Sequence, residues 1–122
     1  MSDRMRRVNA LLKEAIAAEV EELKDERLGF VTVTSVDTAP NLRTAVVHYA
    51  VIGSPEEVAS SQAALDSAAS RISRHVGGQV RLKYTPTLTF ALDEAAERSA
   101  QISAILRDVA EPEGGGGEAP DA

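Results

Sequence analysis

Apolar and polar positions alternate along this chain with two periods, and the switches between them outline the elements. Val8, Leu11, Leu12, Ala15, Ile16, Val20 and Leu23 recur at the three-and-four spacing of one helical face, which predicts an amphipathic helix over residues 4–23. Ser2 and Asp3 stand where a cap belongs. Gly29 ends the pattern, and the period drops to two: Val31 and Val33 alternate with Thr32 and Thr34, a half-buried strand over Phe30 to Val36. Pro40-Asn41 marks a turn, and Leu42 to Val51 forms a second strand with Ala45, Val47, Tyr49 and Val51 on one face. The short connection predicts antiparallel pairing.

Ser54-Pro55-Glu56-Glu57 is a helix start, with Ser54 as cap, Pro55 at the first helical position and Glu57 closing a capping box. Val58, Leu65, Ala69, Ile72 and Val76 give this helix its buried face, and Gly77-Gly78 is expected to stop it. Residues 80–92 read as a third extended segment interrupted by Pro86, with Arg81 and Lys83 on the polar face of its first half. Asp93 can cap a last helix whose apolar stripe is Ile102, Ile105, Leu106 and Val109. The order α-β-β-α-β-α predicts an α+β fold with a three-stranded mixed sheet, covered by helices on one face, because the third strand returns after a helical crossover.

Composition narrows the function. With 122 residues the chain is expected to form one domain over residues 1–110. The last stretch, residues 111–122, is rich in Gly and acids and cannot bury apolar surface, so a disordered tail is expected. The absence of cysteine excludes disulfides and thiolate chemistry and suits a reducing cytoplasm. No run approaches the roughly 18 apolar residues of a membrane span, nor does the N-terminus resemble a secretory signal. A net charge of −6 argues against a nucleic-acid partner until its distribution is considered. The last twelve residues hold four acids and no base, and without them 13 bases face 15 acids. Local patches, not totals, attract phosphate.

The residues offer little to catalysis. His48 and His75 lie on different predicted elements and outside any metal-ligand spacing, and are most simply surface histidines. Glu19, Glu21, Glu22, Asp25 and Glu26 read as a solvated helix end, and Gly77-Gly78 lacks the Lys-Ser or Lys-Thr of a phosphate loop. With four aromatic residues, base stacking is not expected to dominate recognition. Basic side chains carry more information. Arg4, Arg6 and Arg7 crowd the start of the first helix, where the helix dipole disfavours them, and Lys13 follows on the charged side. Arg71, Arg74 and His75 crowd the end of the second long helix, and Arg81 and Lys83 come next. If they converge they make a phosphate-tracking surface; otherwise they are separate solubilising charges.

Four stretches, in this order and spacing, are similar to the ribosome-binding factor A family across residues 4–106: Arg7-Val8; Asp25-Glu26-Arg27-Leu28-Gly29 followed by Val31-Thr32-Val33-Thr34; the strand from Ala45 to Val51 ending at Gly53; and Pro86-Thr87-Leu88-Thr89-Phe90 with Asp93. The resemblance implies a type II KH-like fold with a kinked central helix pair. It also implies binding to the immature 30S small ribosomal subunit and its 16S rRNA, a part in late maturation and 5′-end processing, and support of growth in the cold. The chain departs from the family pattern in three places. Ala68-Ala69-Ser70 has serine where the family's helix kink has glycine, Ser73 precedes Arg74 where an arginine is usual, and Glu26 replaces a common proline. Ser70 disfavours a left-handed backbone, which leaves two readings of Ala68–Ser70 open: a softer kink, or one held by the Ser70 hydroxyl on a preceding carbonyl.

The resulting expectation is a monomeric, cytoplasmic RNA-binding assembly factor without cofactor, metal or membrane attachment, and not an enzyme. Phosphate contacts are assigned to Arg4, Arg6, Arg7, Lys13, Arg71, Arg74, His75, Arg81 and Lys83. Two rivals stay open: a small regulatory domain that dimerises through its sheet without RNA, and an enzyme with a concealed carboxylate site.

Overall fold

The computed structural model describes residues 2–82, 84–95, 98, 102, 105 and 106. Lys83, Val109 and the tail 111–122 lie outside the described residues. Five elements form the frame: α1 (Asp3–Glu21), β1 (Phe30–Thr38), β2 (Thr44–Ile52), α2 (Pro55–Gln79) and β3 (Thr87–Leu92). The sheet order is β1-β2-β3, with β1 antiparallel and β3 parallel to β2. The expected α+β class and mixed sheet are therefore observed.

Both long helices begin as their sequences require. The Ser2 side chain accepts the Met5 N–H, and Ser54 and Glu57 form the complete capping box. The buried faces of α1 (Val8, Leu12, Ile16, Val20) and α2 (Ala64, Leu65, Ala68, Ile72, Val76) meet Ala45, Val47, Tyr49 and Val51 of β2 in one core. The alternate positions of β2, from Thr44 to Ile52, are partly or fully exposed, so the helices cover one face of the sheet.

On β1 the pairing slips between Val33 and Ser35, leaving Thr34 as an extra residue. This bulge lets Val33 and Val36, three residues apart, both enter the core. It also aims the Thr34 hydroxyl at Asp93, whose carboxylate accepts it at 2.7 Å just beyond β3.

Three expectations are corrected. Helix α2 does not stop at Gly77-Gly78; it runs to Gln79, and neither glycine has a positive φ. A side chain on Gly77 would have its Cβ 2.5 Å from Thr85 Oγ1, so this glycine allows a close approach between helix and loop. The third strand is shorter than residues 80–92. Its register begins with Thr44 opposite Thr87, and residues before 87 face the β1–β2 turn, which offers no ladder to pair with. Arg81 is accordingly in a loop and not on a strand, and the Leu82 N–H donates to the Val80 carbonyl in a three-residue turn. Ala68 and Ser70 lie inside one uninterrupted helical run. Beyond β3, Ile102, Ile105 and Leu106 are helical, but each is more than half exposed, so this stripe does not join the core.

Candidate nucleic-acid interface

Helix α1 runs antiparallel to β1. The Thr38 N–H at the end of β1 donates to Asn9 Oδ1 at 3.0 Å, while Val20 and Leu23 lie beside Phe30 and Val31 at the other end. Arg4, Arg6 and Arg7 precede Asn9 and so extend past the end of the sheet, on the side of the β1–β2 turn. All three are exposed, as is Lys13 one helical turn beyond Asn9. Arg6 pairs with Asp3, also exposed, an ion pair that adds little stability in water.

The same end receives the loop after α2. Ser73 Oγ donates to the Pro86 carbonyl, which holds the helix against the loop before β3. Ser73 is half-buried in this contact, and Arg74 beside it is exposed. Arg81 emerges exposed from this loop, and Arg43 emerges from the turn beside it. The hairpin end of the molecule thus gathers Arg4, Arg6, Arg7, Arg43 and Arg81.

Arg71, Arg74 and His75 form a separate patch. Helices α1 and α2 run antiparallel, with Glu19 opposite His75 and with Glu22 and Leu23 across a cleft from Ala64 and Ala68. Arg71 and His75 line this open cleft of about 830 Å³, and Arg74 stays outside it. His75 Nδ1 lies 3.0 Å from Glu19 Oε1, so this ring already has an acidic neighbour. From Glu19 back to Arg7 is twelve helical residues, about 18 Å at the rise of an α-helix. The two basic patches do not converge on one point; they lie along one helical layer.

The sequence reading missed Arg27, although its motif had been singled out. Its guanidinium makes a two-pronged bond to Asp25, with contacts of 3.0 and 2.7 Å, and reaches Ser67 Oγ on α2 at 3.2 Å. The Arg27 carbonyl accepts the Ser60 hydroxyl at 2.8 Å, and the Gly29 N–H donates to the buried Ser61 hydroxyl at 2.9 Å. Hydrogen bonds from the Arg27 side chain and backbone hold the Asp25 carboxyl at about 2, and Asp25 raises Arg27 in turn. This loop positions the cleft, and its signal in sequence is the Asp-x-Arg-Leu-Gly spacing.

Acids occupy the opposite end. Glu21 ends α1, Glu22 and Glu26 follow it, Glu56 and Glu57 open α2, and Glu94 follows β3, all exposed. Among the described residues charge is thus partly sorted: arginines are enriched at the hairpin end, where Asp3 and Asp37 also lie, and acids at the other end, where Lys24 and Arg27 also lie. Among the described residues, no helix is long and apolar enough to cross a membrane, and no group of three acids or histidines is placed to hold a metal ion. The cleft is lined by charged side chains of both signs, among them Glu19, Glu22, Arg27, Arg71 and His75, and by the Ser67 hydroxyl, which accepts from Arg27.

The family profile described as Ribosome-binding factor A matches residues 4–106. A ribosome-binding factor A of Rubrobacter xylanophilus is 47% identical over 120 residues, covering 95% of this chain and 96% of that protein. One from Beutenbergia cavernae is 44% identical over 110 residues, covering 89% and 69%. Among solved structures, the crystal structure of ribosome-binding factor A from Thermus thermophilus superposes with a TM-score of 0.65 at 27% identity, covering 72% of this chain and 94% of that one. A homology model of the Thermus thermophilus factor, as fitted into the cryo-EM map of a 30S complex, gives a TM-score of 0.59 at 29% identity, covering 70% and 91%. With its profile, its relatives and its fold in agreement, the chain belongs to the ribosome-binding factor A family.

Proposed function

We propose that this chain binds the free 30S ribosomal subunit through 16S rRNA phosphates and assists late maturation and 5′-end processing by holding one rRNA conformation. The observation that carries the reading is the gathering of arginines at the hairpin end of a net-acidic molecule. Arginine's planar fork suits phosphate, and charge segregated to one end both attracts and orients. The Thermus thermophilus relative fitted into a 30S map supports the choice of partner. Contacts are assigned to Arg4, Arg6, Arg7 and Lys13, and to Arg71, Arg74, His75, Arg81 and Lys83. The protein acts by binding, as a monomer in the cytoplasm, without a cofactor and without bond making. Residues 1–110 carry this KH-like function, and residues 111–122 serve as a solubilising tail.

Co-sedimentation with isolated small subunits, large subunits and assembled ribosomes at two salt concentrations tests the proposal. Selective binding to small subunits, weakening as salt rises, is expected. Removal of the tail at Pro112 is expected to leave the affinity unchanged; tighter binding would make the tail an inhibitor. One observation favours a rival. Phe30 and Ile52 sit opposite each other in the ladder at 80% and 77% exposure, an apolar pair through which the sheet can dimerise. Size that grows with concentration, together with no subunit binding at any salt, would put that rival first.

A further inference from the structure

Arg43 is fixed at three points. Its backbone N–H donates to Asn41 Oδ1 at 2.9 Å, and its carbonyl accepts the Thr87 N–H at 2.9 Å. Its guanidinium carbon lies 4.1 Å from the centroid of the Tyr84 ring. The residue before it, Leu42, has φ of 63°, a left-handed backbone that a leucine side chain disfavours. Leu42 keeps this conformation because its side chain packs on the core and its N–H closes a turn to the Ala39 carbonyl at 2.8 Å. Strain held in this way fixes the direction in which Arg43 leaves the turn.

The guanidinium sits over the Tyr84 ring, a cation–π contact that engages no N–H donor in an ion pair. Arg43 is exposed and, among the described residues, has no carboxylate within ion-pair distance, unlike Arg6 and Arg27. A side chain already immobilised on a ring loses little freedom when it binds a ligand. Its position between the start of α1 and the Arg81 loop continues the basic end of the molecule across the tip of the sheet.

We propose that Arg43, held over Tyr84, binds a backbone phosphate of RNA, so that the β1–β2 turn is part of the rRNA interface. This rests on the small-subunit reading above. The test titrates the full chain and its variants Arg43→Ala, Arg43→Lys, Tyr84→Leu and the Ala/Leu pair onto isolated small subunits at several salt concentrations. Circular dichroism confirms that each is folded. Arg43→Ala is expected to weaken binding about tenfold, the size of one charge-assisted pair. It should lower the salt slope by roughly 0.7 to 0.9, one phosphate contact. Arg43→Lys should restore the slope without restoring the affinity, and Arg43→Ala should cost less in the Tyr84→Leu background. Wild-type binding with an unchanged Arg43→Ala affinity and slope overturns this inference alone. An equal loss in both backgrounds overturns the role of the ring. Wild-type chain that fails to bind small subunits overturns both this inference and the reading beneath it.

Discussion

Two adjacent glycines near the end of α2 are expected to respond to alanine with opposite signs. Replacing glycine by alanine inside a helix stabilises by up to about 1 kcal/mol, because glycine loses more backbone freedom on folding. Near a helix end the gain is smaller, about 0.5 kcal/mol. At Gly78 nothing lies within 4 Å of the new Cβ, so Gly78→Ala should show the full gain. At Gly77 the new Cβ meets Thr85 Oγ1 at 2.5 Å, Cγ2 at 2.9 Å and Cβ at 3.2 Å. Turning the threonine away relieves the first two contacts at a rotamer cost of about 0.5 to 1.5 kcal/mol and leaves the third. Gly77→Ala should therefore destabilise by up to about 1 kcal/mol, and the two variants should differ by about 1 to 1.5 kcal/mol, the sum of one gain and one loss. Urea unfolding at constant m-value reads this difference directly. Thr85→Ala removes the two nearest atoms and should recover most of the Gly77→Ala loss. Equal gains at both positions would mean that helix and loop are not in contact in solution, and that the glycine pair is a helix stop after all.

Two further predictions concern titration. Tyr49 is fully buried and its hydroxyl donates to Gln62 Oε1, so Tyr49→Phe should cost about 1 to 2 kcal/mol by leaving that acceptor unpaired. Burial, and then the charge of Asp66, raise the Tyr49 phenol, so wild-type stability should hold below the ordinary tyrosine value of 10.0 and fall as pH rises beyond it. The Phe variant should lack this alkaline loss, and an unchanged alkaline limb would contradict the burial. Asp25 is held at about 2 by Arg27, so its contribution is present above the ordinary value of 3.8 and lost as pH falls through about 2. A carboxyl NMR titration of Asp25 with its midpoint near 3.8 would show that the ion pair is not made in solution.

Local chemistry made much of the fold legible. The capping box at Ser54 and Glu57, the alternation on β2, and a crossover helix forcing a parallel third strand each follow from residues close in sequence. The errors arose where a distant element decides. Val80 and Leu82 are buried and half-buried in alternation, as on a strand, yet no β2 residue remains to pair with them before Thr44. Gly77 faces a loop eight residues away, and only that loop explains why a glycine is needed inside the helix. The stripe at Ile102, Ile105 and Leu106 has helical spacing, but spacing alone cannot say whether a surface waits to receive it. Among the candidate site residues, the N-terminal arginines and Arg81 do reach one end of the molecule. Arg43 was not singled out from the sequence, because Tyr84, which makes it distinctive, is 41 positions later.

Asp3 pairs with Arg6 at the hairpin end itself, but the acids at the end of α1 are held away from the N-terminal arginines by the length of that helix. From Arg7 to Glu21 is fourteen helical residues, about 21 Å. Two unit charges that far apart in water interact by about 0.2 kcal/mol before screening. At physiological ionic strength the screening length is about 8 Å, and the separation is more than twice that, so little of the interaction survives. A phosphate at the hairpin end should therefore be nearly indifferent to Glu21 and Glu22. The Glu21→Gln variant is expected to bind small subunits with unchanged affinity at physiological salt, while the Arg7→Ala variant, which alters the net charge by the same amount in the opposite direction, weakens binding about tenfold. At about 0.01 M salt the screening length exceeds the separation, and the acidic end should begin to be felt as a modest tightening in the glutamine variant. Strong tightening already at physiological salt would mean that RNA reaches the acidic end, and that total charge, not its placement, governs the encounter.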